Sequence, residues 1–502
     1  MIGRCRSVVL TGLAGHVIDV EAHVARGLPA FTIVGLPDAS LAEAKDRVRA
    51  AVASSGVEWP RQRITVNLSP ASLPKSGPAT DLAIAVAVLA AARTLDAARA
   101  RELVLLGELG LDGRVRPVRG VLPAVAAAVE AGSPRVVVPA GNADEAALVA
   151  GATVDGAVAL ASVLRALGAD ARPESVEPVR APVVASTWSA PPDLADVRGQ
   201  TSARVALEVA AAGGHHLLMV GPPGAGKTML AERLPGILPD LDDAEAVRVT
   251  AVHSLAGTFD AARGLLRRPP FEAPHHTASA AAIVGGGAGL ARPGAVSLAH
   301  AGVLFLDEAP EFPTRVLDTL RQPLERGEIV LHRAHGATRY PARFQLVLAA
   351  NPCPCGHFAG TGEGCSCTAL ARRRYLGRLS GPLLDRIDIQ VPVLAAARSD
   401  EPGEPSAAAA ARVAAARAAA SERLAPHGWR TSAEAPGPWL RQVTSRQACA
   451  GLWRAVDRGI LTARGFDRAL RLAWTLADLE GAPSPDSGHI TEALALRQGI
   501  TA

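Results

Sequence analysis

Aromatic side chains are scarce. Eight Phe, two Tyr and six Trp make up 3% of the 502 residues, so a surface tiled with stacking rings for nucleobases is not expected. Cysteine is also rare, with six in the whole chain, too few for a disulfide scaffold. Charge of one sign is missing as well. Lys and Arg total 52 against 48 Asp and Glu, a formal net charge of +4. That balance excludes a histone-like electrostatic coat, although a local basic pore or groove escapes any net-charge argument. Long apolar runs are absent. The longest, Leu82 to Ala92, falls far short of the roughly 18 residues a membrane span needs. The first residues, Met1 to Gly12, resemble a strand and lack the apolar block of a secretory signal. A cytoplasmic protein in a reducing compartment, with no membrane partner, is the expectation.

What remains is material for large cores: 49% of residues are hydrophobic and 20% charged, which excludes global disorder. At roughly 150 residues per domain the length suggests about three domains. Residues 1–170 alternate β-like runs (Phe31–Val34, Ile64–Leu68, Val136–Val138) with Ala-rich helical stretches (Leu41–Ser54, Asp81–Ala92), a mixed α/β unit. Residues 171–192 carry five prolines and no amphipathic period, which marks a linker. A second α/β unit follows over 193–397. After the break Arg398 to Pro405, an Ala- and Arg-rich helical unit occupies 398–502.

The chemistry concentrates in the second unit. The apolar strand Leu217–Val220 runs into Gly221-Pro222-Pro223-Gly224-Ala225-Gly226-Lys227-Thr228 and then a helical segment. This strand–loop–helix context is what the P-loop pattern requires. Its glycines let backbone N–H groups converge on phosphate oxygens, Lys227 reaches the β- and γ-phosphates, and the Thr228 hydroxyl ligates Mg²⁺. ATP with Mg²⁺ is the implied ligand. Eighty residues on, Gly302-Val303-Leu304-Phe305-Leu306 ends in Asp307-Glu308. Asp307 would hold the Mg²⁺ shell and Glu308 would orient and deprotonate the attacking water. A third apolar strand, Phe344–Ala350, ends at Asn351. Its amide could polarise that water, or it could be only a turn residue before Pro352. Arg386 sits among apolar positions in Leu383-Leu384-Asp385-Arg386-Ile387-Asp388. It suits a finger inserted into a neighbouring subunit's site, while an intrachain salt bridge to Asp385 or Asp388 fits the spacing equally well.

These motifs together resemble the magnesium-chelatase-like AAA+ ATPases, specifically the ComM/YifB family. Further strings carry the resemblance across almost the whole chain: Phe31–Asp38, Val66–Pro70, Ala273-Pro274-His275-His276-Thr277-Ala278-Ser279, Asn351-Pro352-Cys353-Pro354-Cys355-Gly356, Ser380–Asp388 and Thr475–Leu479. The resemblance implies a homo-hexameric ring motor that hydrolyses ATP and acts on branched or single-stranded DNA, as in branch migration during recombination of incoming strands in natural transformation. It favours Arg386 as the arginine finger. It also places a second arginine sensor on the helix after Thr462, with Arg464 preferred for the γ-phosphate contact and Arg468 and Arg471 as competitors. The first unit resembles the Lon-protease fold, an α+β domain. There the nucleophile position falls on Ala79 and the lysine position near Leu122, so no route to an acyl-enzyme exists and the domain is expected to be catalytically inactive. The rival reading is a chelatase-type motor that remodels a metal-insertion partner. A scaffold that merely holds ATP is disfavoured by intact Lys227, Asp307 and Glu308.

Cys353, Cys355, Cys365 and Cys367 fall within fifteen residues. Four thiolates suit a closed, structural Zn²⁺ site; reduced free thiols are the alternative, and His357 is an alternative ligand. His275 and His276 are neighbours whose side chains are expected to diverge, so substrate contact is preferred to metal binding. DNA contacts of a translocating motor should be phosphate-directed. The segment Glu328–Tyr340 reads as a hairpin whose Arg333, His335 and Arg339 would point into the ring, with Arg372-Arg373-Arg374 as a second basic run.

Overall fold

The computed structural model describes residues 2–35, 39–73, 75, 77–172, 176–179, 191–287, 291–333, 336–358, 364–394 and 403–498. Most of the proline-rich segment 171–192, and all of 395–402, lie outside these residues.

The N-terminal region is built on a seven-stranded mixed sheet. Its strand order is Ala30–Val34, Arg63–Ser69, Ala14–Ala25, Ile2–Thr11, Val104–Leu105, Arg135–Pro139, Thr153–Ala157. The hairpin Ile2–Thr11/Ala14–Ala25 and the pairing of Ala14–Ala25 with Arg63–Ser69 are antiparallel; the remaining pairings are parallel. Helix Asp81–Ala91 packs on this sheet with all eleven residues buried. An all-round apolar helix of this kind belongs in a core. Each of its Leu and Ile side chains contributes roughly 1.5–3 kcal/mol by leaving water.

The second region is a five-stranded, all-parallel sheet in the order Phe271–Glu272, Val303–Leu306, Gln345–Ala350, Leu217–Val220, Ile389–Pro392. Its central strands are apolar apart from the buried Gln345, as expected of a sheet covered on both faces. Side chains alternate between those faces. Leu217, Met219, Val303, Phe305, Val347 and Ala349 pack with helix Thr201–Gly213 and with the C-terminal helices. Leu218, Val220, Leu304, Leu306, Leu346 and Leu348 pack on the other side around Val296, Phe312 and Val316.

The C-terminal region is helical: Ser406–Leu424, Gly437–Val443, Ala450–Asp457, Ala463–Glu480 and Ser487–Gln498. Its core residues Val413, Phe466, Leu470 and Ala473 form one continuous cluster with the first sheet face. Helix Ala463–Glu480 starts where the sequence placed it, with the Thr462 hydroxyl accepting from Gly465 N–H at 3.1 Å. The expected hairpin is also present. Glu328–Arg333 pairs antiparallel with Gly336–Pro341. Ile329 and Tyr340 face inward as a buried pair.

Candidate nucleotide-hydrolysing site

Parallel pairing brings three strand ends to one edge of the second sheet. Val220 lies beside Ala350, and Leu306 beside Leu348. Gly221, Asp307 and Asn351 therefore emerge together. Ligands of open α/β sheets bind at this carboxyl edge.

The loop Gly221-Pro222-Pro223-Gly224-Ala225-Gly226 fills that edge. Gly221 lies so close to Val393 O that a Cβ there would sit 2.0 Å from it; only glycine lets the loop leave the sheet at this point. Gly226 caps helix Lys227–Arg233 in the left-handed conformation with φ 89°. The Lys227 ammonium donates to Gly221 O at 2.6 Å, Pro222 O at 2.9 Å and Asn351 Oδ1 at 3.1 Å. Burial pushes its pKa down, opposed by the charges of Asp307 and Glu308. Asn351 is thus more than a turn residue: its side chain bonds the P-loop lysine. The Thr228 hydroxyl donates to Asp307 Oδ2 at 2.7 Å. A hydroxyl and a carboxylate so placed offer Mg²⁺ the hard oxygen donors it prefers.

Glu308 adopts a left-handed backbone with φ 49°, a conformation that costs a non-glycine residue about 1–2 kcal/mol. The turn lets Glu308 N–H donate to Asp307 Oδ1 at 2.9 Å. The Glu308 carboxylate, half exposed, lies 3.4 Å from His276 Nδ1. Here the structure corrects the sequence. His275 and His276 do not diverge; their ring centroids are 4.1 Å apart. The pair sits in an irregular turn rather than a helix or strand, so the usual splaying of neighbours does not apply. His276 beside Glu308 was not legible, and neither was Gln200, whose amide donates to Ala225 O in the P-loop.

Arg386 is ion-paired with Glu325 and also donates to Pro382 O. The spacing offers Asp385 or Asp388 as the intrachain partner, and the observed partner is neither. Asp388 is taken instead by Arg468 and, at 3.2 Å, by His215. Burial alone would raise the Asp388 carboxyl, but the hydrogen bond from His215 and the charge of Arg468 outweigh it and hold it well below the usual range. Among the described residues the hydrogen bonds and ion pairs of Lys227, Thr228, Asp307, Glu308 and Asn351 involve no arginine.

On the last sensor helix, Arg468 is held by Asp388 and by Arg386 O, and Arg471 donates to Ala435 O at 2.8 Å. Arg464 is 84% exposed, with only a 4.0 Å approach to Asp385. Of the three candidates it is the one left available to a ligand.

The cysteine loop leaves the same sheet edge, directly after Asn351. Cys353 Sγ lies 3.3 Å from Cys355 Sγ and 3.7 Å from Cys365 Sγ, and Cys355 and Cys365 are 3.7 Å apart. With Cys367, all four sulfurs fall within 4.8 Å of one another. Four sulfurs about 2.3 Å from one tetrahedral ion would sit about 3.8 Å apart, so the cluster could hold a metal. A hydrogen bond from the His357 backbone, with help from Cys353, draws the Cys355 thiol down to about 6.

The proposed DNA-facing residues fare less evenly. His335 lies outside the described residues, as does the side chain of Arg333. Arg339 is exposed but pairs with Glu328 of the opposite strand at 2.8 Å. Arg372 turns back onto the cysteine loop, donating to Cys367 O at 3.1 Å and stacking 4.0 Å over Phe358.

The sheet order, the P-loop and the paired acidic strand end define a P-loop ATPase of the AAA+ class. A family model described as "Magnesium chelatase, subunit ChlI" matches residues 193–401, "Subunit ChlI of Mg-chelatase" matches 20–142, and the ChlI C-terminal model matches 403–497. The Haemophilus influenzae competence protein ComM is 42% identical across 97% of this chain and 95% of its own length. Escherichia coli YifB is 42% identical with the same coverage, and a Mycobacterium tuberculosis protein is 53% identical over 99% of both chains. The chain belongs to the ComM/YifB family of magnesium-chelatase-like AAA+ ATPases. The chain is also similar to the Lon protease of Rhizobium meliloti, at 29% identity over 28% of this chain and 18% of that one. The Lon-like positions are apolar here: Ala79 lines a cleft with Gly77 and Pro78, and Leu122 is buried. No helix among the described residues is long and apolar enough to cross a membrane.

Proposed function

We propose that the protein is a homo-hexameric ring motor that couples ATP hydrolysis to movement along branched or single-stranded DNA, with branch migration as its task. The observation that carries the reading is the composition of the site: loop, lysine, acidic pair and Asn351 are together, yet among the described residues no arginine hydrogen-bonds or ion-pairs with Lys227, Thr228, Asp307, Glu308 or Asn351. A second protomer would supply the missing cation, and a ring repeats that seam. The competence protein of Haemophilus influenzae supports DNA as the track.

In this reading Lys227 exchanges its bonds to Gly221 O and Pro222 O for phosphate oxygens. Thr228 and Asp307 would hold Mg²⁺, which would supply neutralising charge at those oxygens. Glu308 takes the proton of the attacking water, and its left-handed backbone aims the carboxylate past His276. Asn351, already bonded to Lys227, reports the γ-phosphate. Arg464 contacts it from the helical region, and a neighbour's Arg386 leaves Glu325 to stabilise the developing charge. Arg333, His335 and Arg339 would be the residues that meet the DNA phosphates. Cys353, Cys355, Cys365 and Cys367 would hold a single structural Zn²⁺.

The rival, a motor that remodels a metal-insertion partner, draws on the descriptions of the three family models. ATP turnover of the purified protein, measured with and without forked and three-stranded DNA alongside native mass, separates the two. Stimulation by forks in a six-chain assembly is the expected result. A rate indifferent to every DNA form would favour the rival.

A further inference from the structure

The cysteine loop does not hang free of the nucleotide site. Cys353 follows Asn351 by two residues, and Asn351 holds Lys227 at 3.1 Å. The turn Cys353–Gly356 closes with Gly356 N–H donating to Cys353 O at 3.0 Å. At its tip Gly356, with φ 80°, lies against the P-loop: a Cβ there would meet the ring of Pro223 at 2.6 Å. The far half of the loop is anchored too. Arg372 on helix Ala369–Leu376 binds Cys367 O, and Tyr375 on the same helix is buried with its hydroxyl at the Asn351 backbone. Arg378 then bonds Pro310 O and Glu311, both at 3.1 Å, in the turn after Glu308. The four sulfurs thus sit at the hub of contacts to the P-loop, to Asn351 and to the segment after the acidic pair.

Small turns of this length have little apolar area of their own to bury, and chain entropy opposes order in them. A tetrahedral ion supplies the missing order, because ligation energy becomes local folding energy. We infer that metal loading of Cys353, Cys355, Cys365 and Cys367 braces the P-loop through Gly356 and Pro223, so that occupancy of the cysteine cluster sets the affinity of the site for ATP. The inference rests on the zinc reading of the loop given above. Sulfur separations of 3.3–3.7 Å suit one ion; an iron–sulfur cluster would hold its thiolates further apart. Four sulfurs leave no open position, so the ion takes no part in hydrolysis itself.

The test uses the full-length protein and two measurements: metal content by elemental analysis, and affinity for a fluorescent ATP analogue in excess Mg²⁺. The expected protein is colourless, with one zinc per chain. Removing zinc with a zinc-selective chelator under reducing conditions should weaken nucleotide binding about tenfold, and added Zn²⁺ should restore it. Gly356→Ala supplies an arm that spares every ligand: zinc should stay at one per chain while affinity falls by a similar factor. Zinc present but affinity unmoved by both chelator and Gly356→Ala would overturn the brace and leave the zinc reading standing. Four freely titrating thiols and no metal would overturn the zinc reading itself.

Discussion

The N-terminal region and the nucleotide-binding region are both α/β layers, and both bury a salt-bridged aspartate. In the first, Asp81 meets Arg47 at 2.7 Å and Leu109 N–H at 3.3 Å. In the second, Asp388 meets both Arg468 and His215. The resemblance to the Lon fold places nucleophile and lysine positions of the first region at Ala79 and near Leu122, side chains that can neither attack nor accept a proton. The second has a polar side chain at the end of every central strand: Lys227 follows one, Asp307 and Glu308 another, Asn351 a third. Two similar folding problems are solved in similar ways, and only one region is armed. Fold and function are thus separable within a single chain. The two regions are nevertheless joined. Ser254, on helix Asp243–Ala256, donates to the buried Glu145 carboxylate of the N-terminal region. On the same helix Glu245 pairs with Arg430 of the helical region at 2.8 Å.

If only the second region is armed, single substitutions there should abolish activity without unfolding the protein. The largest effect is expected at Lys227 and Glu308. Lys227→Ala should remove measurable nucleotide binding, since the ammonium seated in the P-loop is the cation placed to reach the β- and γ-phosphates together. Glu308→Gln should bind ATP normally while turnover falls by about 10²–10⁴-fold, the usual contribution of a positioned base. Equilibrium binding and steady-state hydrolysis measured on the same preparations check both. A Glu308→Gln protein turning over at the wild-type rate would remove that residue from its role.

Arg386 gives the next effect. Arg386→Ala should lower turnover by about 10³-fold, as loss of an arginine finger does, and leave ATP affinity intact. Glu325→Gln removes the intrachain partner and keeps the guanidinium. A finger predicts that Glu325→Gln retains or raises turnover. A purely structural pair predicts that both variants lose thermal stability together and that turnover tracks the melting temperature.

The parts of this site legible in the sequence are those whose geometry is local. A strand, a glycine-rich loop and a helix are contiguous, so Gly221 to Thr228 could be read directly, as could Asp307 and Asn351 at the ends of buried apolar strands. What was not legible depends on contacts between distant segments. Glu325 lies 61 residues before Arg386, and nothing in either neighbourhood marks the pair. Adjacent histidines normally splay, and only the turn that holds them shows why His275 and His276 do not. That Glu328–Tyr340 forms a hairpin was legible from its local pattern, and the antiparallel pairing is present. The pairing of Arg339 with Glu328 was not legible, because it depends on hairpin register.

The smallest predicted effect tests the two buried aspartates themselves. Burial, only partly offset by Arg47, pushes the Asp81 carboxyl up to about 6, and burial likewise raises Glu145 in the same region. Between about pH 4, where an unfolded carboxyl titrates, and about pH 6, folded Asp81 holds a proton that the unfolded chain has released. Stability of the N-terminal region therefore falls as pH rises through that window, by on the order of 2 kcal/mol for Asp81. Asp388 has the opposite sign. Its carboxyl is held low by His215 and Arg468, so its contribution is complete above about pH 4 and is lost only below it. Acidification from pH 6.5 to 4.5 should then protect helix Asp81–Ala91, whereas strand Ile389–Pro392, hydrogen-bonded to His216, whose imidazole burial holds down at about 4, should gain no protection. Hydrogen exchange read by mass spectrometry, corrected for intrinsic rates, follows both segments in one sample. Asp81→Asn should remove most of the gain in the helix, because an amide has no proton to acquire. Equal gains in both segments, or a gain in the helix that survives Asp81→Asn, would show that the balance of burial against ion pairing does not divide the two aspartates.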